Sequence, residues 1–235
     1  MPECDEAILM RKRLRVCLLI SAAFLALIAL GGVGLFRAAR HVPDFYRRAL
    51  EVTPEHQAAA GDALERQVLE LHNEIQDEGR WQAVFDEEQI NGWLASDLSE
   101  KFSTSLPTGI SEPRVAIGAD SVRLACRYRD QWIDTVVSVG LSFSVNRQTN
   151  EVAITVQRVR AGLLPLPLKD LLDEVANAAR RGELDLRWAQ SDGSPVALLR
   201  VPSELPALEV EGFRLQEIEL AEGEIRLIGQ TSGTR

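Results

Sequence analysis

A chain of 235 residues, 46% hydrophobic and 26% charged, has the composition of one globular domain with short additions, which excludes a fibre or a largely disordered protein. Its 26 basic and 35 acidic residues give a net charge of −9, so nucleic acid is a poor partner for the chain as a whole. Cys4, Cys17 and Cys126 are its three cysteines, each in a different segment of the organisation below, so no disulfide forms within the domain.

Residues 16–36, VCLLISAAFLALIALGGVGLF, hold no charge and Ser21 as their one hydroxyl. At about 1.5 Å per residue the run covers about 30 Å of hydrocarbon, which predicts a transmembrane helix. A cleaved signal peptide is the rival reading, because Arg11, Lys12, Arg13 and Arg15 precede the run. The apolar stretch exceeds the roughly 7–15 residues usual for that class and no A-x-A site follows, so a retained anchor is favoured. Arg37, Arg40, Arg47 and Arg48 match the upstream cations in number, but the upstream cluster is tighter. That assigns residues 1–15 to the cytoplasm and the bulk of a single-pass protein to the far side of the membrane. Without the four cations and Glu3, Asp5 and Glu6 of the tail, 22 basic residues face 32 acidic ones, a net −10.

Residues 37–79 read as a stalk and an amphipathic helix. Thr53-Pro54-Glu55 is a start signal, and Ala60, Leu64, Val68, Leu71 and Ile75 recur at steps of three and four. The stripe is expected to pack on its own domain, with a seam to a second copy or another membrane protein as the alternative. Residues 80–235 then form an extracytoplasmic domain. It opens with a strand at WQAVF, residues 81–85, and a capping box in which Gln89 reaches back to Asp86; the helix so begun places Ile90, Trp93, Leu94 and Leu98 on one face.

From Pro113 the period changes to two. Val122, Leu124, Cys126 and Tyr128 alternate with Arg123, Ala125, Arg127 and Arg129, and Val137 to Val145 alternate with serines and Gly140. A polar turn at residues 146–150 leads to Val152, Ile154 and Val156. Short turns make these strands antiparallel with one face wet. Leu168, Leu171, Leu172, Val175 and Ala179 predict a second helix, closed by Arg180-Arg181-Gly182. Strands return around residues 184–188, 196–198, 208–210, 213–215, 218–220 and 225–227. The fold class is α+β: about seven or eight antiparallel strands curling around two or three helices.

No nucleophile elbow, HExxH, phosphate loop or paired CxxC is present, so an enzyme, a metal site and a cofactor are not expected. His41, His56 and His72 read as solvated. The acids Asp86, Glu87 and Glu88 suit a helix first turn; Asp170, Asp173 and Glu174 a polar helix face; Glu217, Glu219, Glu222 and Glu224 a wet strand. The outward row Arg123, Arg127 and Arg129, with Arg114 nearby, could grip an anion, although acids on a neighbouring strand could also neutralise it. Cys126 falls on the apolar side of its strand, where inert burial is expected.

The stretch AGLLPLPL, residues 161–168, is too short to cross a membrane and too apolar for an ordinary loop. Together with the FDEEQINGWL helix start at residues 85–94 and two long strands before it, its run into LxxLL resembles the YpmS-like family of bacterial single-span membrane proteins over about residues 80–182. The resemblance implies a non-catalytic extracytoplasmic domain with a curved sheet wrapped on a helix, a shape similar to lipid-carrying domains. Leu163, Leu164, Leu166 and Leu168 are then expected either to plug the core, the favoured outcome, or to form the rim of an apolar groove. The function expected is a membrane-anchored, non-enzymatic domain binding a lipid-like ligand or an envelope partner. A scaffold assembling with other membrane proteins through the helix at 54–78 is the alternative.

Overall fold

A computed structural model describes residues 25–101, 108–166, 172, 176, 180, 184–191, 193–205 and 210–232. Helix α1, Leu25–Ala39, carries the second half of the expected span; the first half and residues 1–15 lie outside the described residues. Its Leu25, Leu27, Ile28, Leu30, Val33, Leu35 and Phe36 are all exposed. Among the described residues no single helix is long and apolar enough to cross a membrane, though α1 and α2, Asp44–Leu50, pass that test as a pair bent by 49°. The second member of the pair belongs to the domain, because Phe45 and Tyr46 of α2 are buried on the sheet beside Ala116, Ala125 and Val136.

The domain is α+β and its strands are antiparallel. Helix α3, Pro54–Gln76, crosses α4, Glu87–Lys101, at small residues: a Cβ on Gly92 would stand 2.6 Å from the Cβ of Ala60. Leu71 and Ile75 of α3 enter the core, while Val68 remains exposed, so most of the predicted stripe packs within the chain. Between the helices runs β1, Gly79–Asp86, longer at both ends than WQAVF. The backbone N–H of Asp86 donates to Gln89 Oε1 at 3.3 Å, the return bond of the predicted capping box.

The large sheet has the order β2-β3-β4-β5-β8-β7, formed by Ile110–Ile117, Val122–Arg129, Asp134–Asn146, Glu151–Ala161, Ser194–Arg200 and Leu186–Ser191 respectively. Short β6, Leu164–Pro165, adds to β5, and β9, Glu204–Leu205, pairs with β10, Val210–Glu211. The smaller sheet, β1-β12-β11, joins the first strand to the last, with β12 at Glu224–Thr231 and β11 at Phe213–Ala221. Two segments expected as separate strands, around 213–215 and 218–220, are one strand with a bulge between Leu215 and Glu217. The predicted 168–182 helix lies almost wholly outside the described residues; Leu172, Ala176 and Arg180 are helical.

One expectation is corrected. The Arg123, Ala125, Arg127, Arg129 face of β3 is not simply wet: Ala125 is 1% exposed because α2 folds back over it. Alternation marked the two faces of the strand, but the cover comes from a segment some 80 positions away in sequence, which no local period reports.

The two sheets are tied at the β4–β5 turn. Asn150, at φ 51° and buried, donates from Nδ2 to the carbonyls of Val201 (2.9 Å) and Phe213 (3.1 Å), and its Oδ1 accepts from the Leu215 N–H at 3.0 Å. Replacing it leaves one buried and two part-buried backbone groups without this partner, each worth about 1–3 kcal/mol before relaxation. Asn150→Ala is therefore expected to lower stability by about 3 kcal/mol in urea unfolding of the chain in mild detergent, whereas Thr149→Ala, which removes one bond to Glu151, costs under about 1 kcal/mol.

Candidate functional site

The last turn of a helix leaves carbonyls without intrahelical partners. At the end of α1 those carbonyls are met by the opening of AGLLPLPL. Leu163 N–H donates to Ala38 O at 2.9 Å, and Thr135 Oγ1 of β4 donates to Ala39 O at 2.5 Å. Gly162 N–H turns the other way, to Val136 O at 2.8 Å, so the turn bridges helix and sheet. Gly162 has φ 58°, and a Cβ there would lie 2.3 Å from Ala38 O. Only glycine fits.

That contact decides where the leucines go. Leu163 is 51% and Leu166 37% exposed, Leu164 is half-buried in β6, and Leu168 lies outside the described residues. Leu163 and Leu166 do not plug the core, contrary to the favoured expectation. The chain spends this turn on holding α1, which forces the adjoining side chains outward beside the apolar helix.

Next to the joint is a cleft of about 350 Å³. Strand register builds it: Arg123 on β3 is opposite Gly140 on β4, and Gly140 is opposite Arg158 on β5; one step along, Ser138 is opposite Arg160. Gly140 and Ser138 make a low floor between arginine walls, and His41, Pro43, Phe45, Gly162 and Leu163 close the side toward α1. Arg123 stacks over the Phe45 ring with its guanidinium carbon 4.6 Å from the centroid. Neither Arg158 nor Arg160 meets a carboxylate among the described residues.

The predicted arginine row is divided by this arrangement. Arg127 Nε and Nη2 donate to the two oxygens of Asp134 at 2.9 Å each, and Arg129 Nη2 reaches the same carboxylate at 3.6 Å. The Arg127 hydrogen bonds hold the Asp134 carboxyl below the usual carboxylate range. Arg114 is 5% exposed and its Nη1 donates to Pro113 O; burial lowers its pKa. Only Arg123 of the row reaches the cleft. Arg158 and Arg160 were not singled out in the sequence, although they alternate with buried Val159 as an outward pair.

A larger recess of about 850 Å³ lies between α2, α3 and the start of α4. Its acids serve structure: Glu87 Oε2 accepts from Ile117 N–H at 2.7 Å, and Glu88 pairs with His56. His72 contacts Gln76, and His41 lines the smaller cleft. Of the remaining acids, Glu217 meets Arg147 and Glu219 meets Arg226, each at 3.1 Å, while Asp170, Asp173 and Glu174 lie outside the described residues. Among the described residues no three of His, Cys, Asp and Glu could hold a metal ion. Tyr46 donates to Glu112 O at 2.9 Å and its phenol is pushed up to about 12, first by burial and then by the Glu112 charge.

Comparison with protein families, with curated proteins and with solved structures returned no match.

Two measurements test this geometry. Gly162→Ala is expected to cost about 2–3 kcal/mol, from left-handed backbone and the contact with Ala38, while Thr135→Val costs about 1 kcal/mol. Burial raises Cys126 from 9.0 to about 11. Its thiolate fraction near neutral pH is thus about a hundredfold below that of an ordinary thiol, and alkylation of the folded chain at mildly alkaline pH should be slower by a similar factor until denaturant is added.

Proposed function

We propose that the chain is a single-pass, membrane-anchored and non-enzymatic domain that binds an amphipathic, lipid-like ligand where it meets the bilayer. One observation carries the reading: the AGLLPLPL turn is hydrogen-bonded to the end of α1, with Leu163 and Leu166 exposed beside a helix whose large apolar side chains are exposed as well. Exposed apolar surface of that extent marks an interaction with membrane or partner. Residues 16–24 continue the same uncharged run upstream, which brings the apolar length to that of a bilayer core. The tight basic cluster before the run favours a cytoplasmic N-terminus and an extracytoplasmic domain. The resemblance to the YpmS-like family agrees with this placement.

The scaffold alternative retains Val68 and Leu69 as exposed apolar side chains on α3, since Leu71 and Ile75 are used inside the domain. That is a small surface for assembly. Alkaline carbonate is expected to leave the full chain in the membrane fraction. Native mass spectrometry of the chain released in mild detergent should then show a bound mass in the lipid range. A chain stripped by carbonate refutes the anchor, and a bare chain refutes the ligand.

A further inference from the structure

We infer that the cleft formed by Arg123, Arg158 and Arg160 over Gly140 and Ser138 holds the phosphate of an anionic phospholipid headgroup. The inference rests on the reading of α1 as a membrane anchor, and names the ligand that the anchored domain takes.

Charge distribution is the first ground. The chain is acidic, with 35 carboxylates against 26 cations, so carboxylates are abundant. Several arginines elsewhere on its surface are paired, Arg127 and Arg129 with Asp134, Arg147 with Glu217, Arg187 and Arg200 with Glu151, and Arg226 with Glu219, while Arg48, Arg66, Arg80 and Arg214 have no ion pair among the described residues but do not share a cleft with one another. In the cleft three guanidinium groups converge with no carboxylate among the described residues. Like charges held together raise one another's energy, and an anion between them removes that cost.

Shape is the second ground. Register sets Arg123 and Arg158 on either side of Gly140, which has no side chain to occupy the space between them, and puts Ser138 beside Arg160. Guanidinium forks match phosphate oxygens in pairs, and Ser121, Ser138 and Gln157 add neutral hydrogen-bonding groups around the same space. At about 350 Å³ the cleft suits a headgroup and excludes a whole lipid.

Position is the third. His41, Gly162 and Leu163 line the cleft, and Leu163 is bonded to Ala38 in the last turn of α1. A phosphate in the cleft therefore stands level with the end of the apolar helix, and acyl chains leave it past Leu163 toward exposed Val33, Leu35 and Phe36. A soluble anion has no use for that arrangement. A lipid has.

The test uses the full chain in a neutral detergent. Native mass spectrometry is expected to retain phosphatidylglycerol over phosphatidylcholine by about tenfold or more, and Arg158→Gln/Arg160→Gln to retain the two lipids alike. Both arginines are exposed and unpaired, so the variant should fold, which circular dichroism checks; Arg123→Gln provides a second variant on another strand. Equal retention of the two lipids by the unaltered chain, or undiminished preference in both variants, overturns the inference. Stabilisation by inorganic phosphate without any preference among lipids also overturns it, by assigning the cleft to a soluble anion. Failure of the anchor reading shows separately, as release of the chain by carbonate whatever the lipid preference.

Discussion

The carbonyls at the end of α1 constrain everything around them. An exposed helix end can satisfy its last carbonyls with water, and the chain beyond it then swings freely. Here Ala38 and Ala39 are bonded to Leu163 N–H and Thr135 Oγ1, on the β5–β6 turn and on β4. The chain then needs only Arg40, His41, Val42 and Pro43 to enter α2, whose Phe45 and Tyr46 bury on the same sheet. Helix and domain are thus held at two nearby places. The large sheet cannot tilt against α1 without breaking both bonds or pulling aromatic side chains from the core, and the direction in which β3, β4 and β5 present their arginines is set by the direction of α1.

The arginines of this one sheet end differently. Arg127 and Arg129 stand toward the β3–β4 connection, within reach of Asp134, the first residue of β4. Arg123, Arg158 and Arg160 stand farther along the strands, opposite glycine and serine. Solvent-exposed guanidinium–carboxylate pairs contribute at most about 1 kcal/mol, so neutralising Arg127 and Arg129 does little for stability. Its larger effect is to leave the unneutralised guanidinium groups of these three strands at the cleft.

Much of the local structure was legible in the sequence, for reasons that can be named. The Asp86/Gln89 capping box acts within four residues, and the alternation at 122–129, 137–145 and 152–156 follows a pleat that local sequence reports directly. What was not legible is long-range. Nothing near Trp81 says that β1 pairs with β12, and nothing near Arg123 says that α2 will cover Ala125 beside it. The same limit hid the cleft, because Arg123 and Arg158 are neighbours only through Gly140, in a register shifted by the bulge after it. AGLLPLPL was visible as unusual from composition alone. Its use was not, because the deciding feature is the φ of Gly162 and the carbonyl it faces.

Polar side chains do for the interior what Leu163 N–H does for α1. Asn150 bonds three backbone groups across the gap between the sheets, and Asn91 on α4 makes a similar pair with Val115, donating to its carbonyl at 2.9 Å and accepting from its N–H at 2.8 Å. Asn91 therefore occupies the edge of β2 as a short strand would, and shields that edge from pairing with another chain. Together the two asparagines fix α4 to one edge of the large sheet and β11 to the other end of its central strands. Asn150 lies beyond the far end of β4 from the α1 joint. Rigidity at the joint without these ties would leave a sheet that flexes along its length, and arginines on three different strands would not stay at one spacing. A site built from register alone needs its sheet held at both ends, and in this chain the α1 joint and the asparagine ties do that.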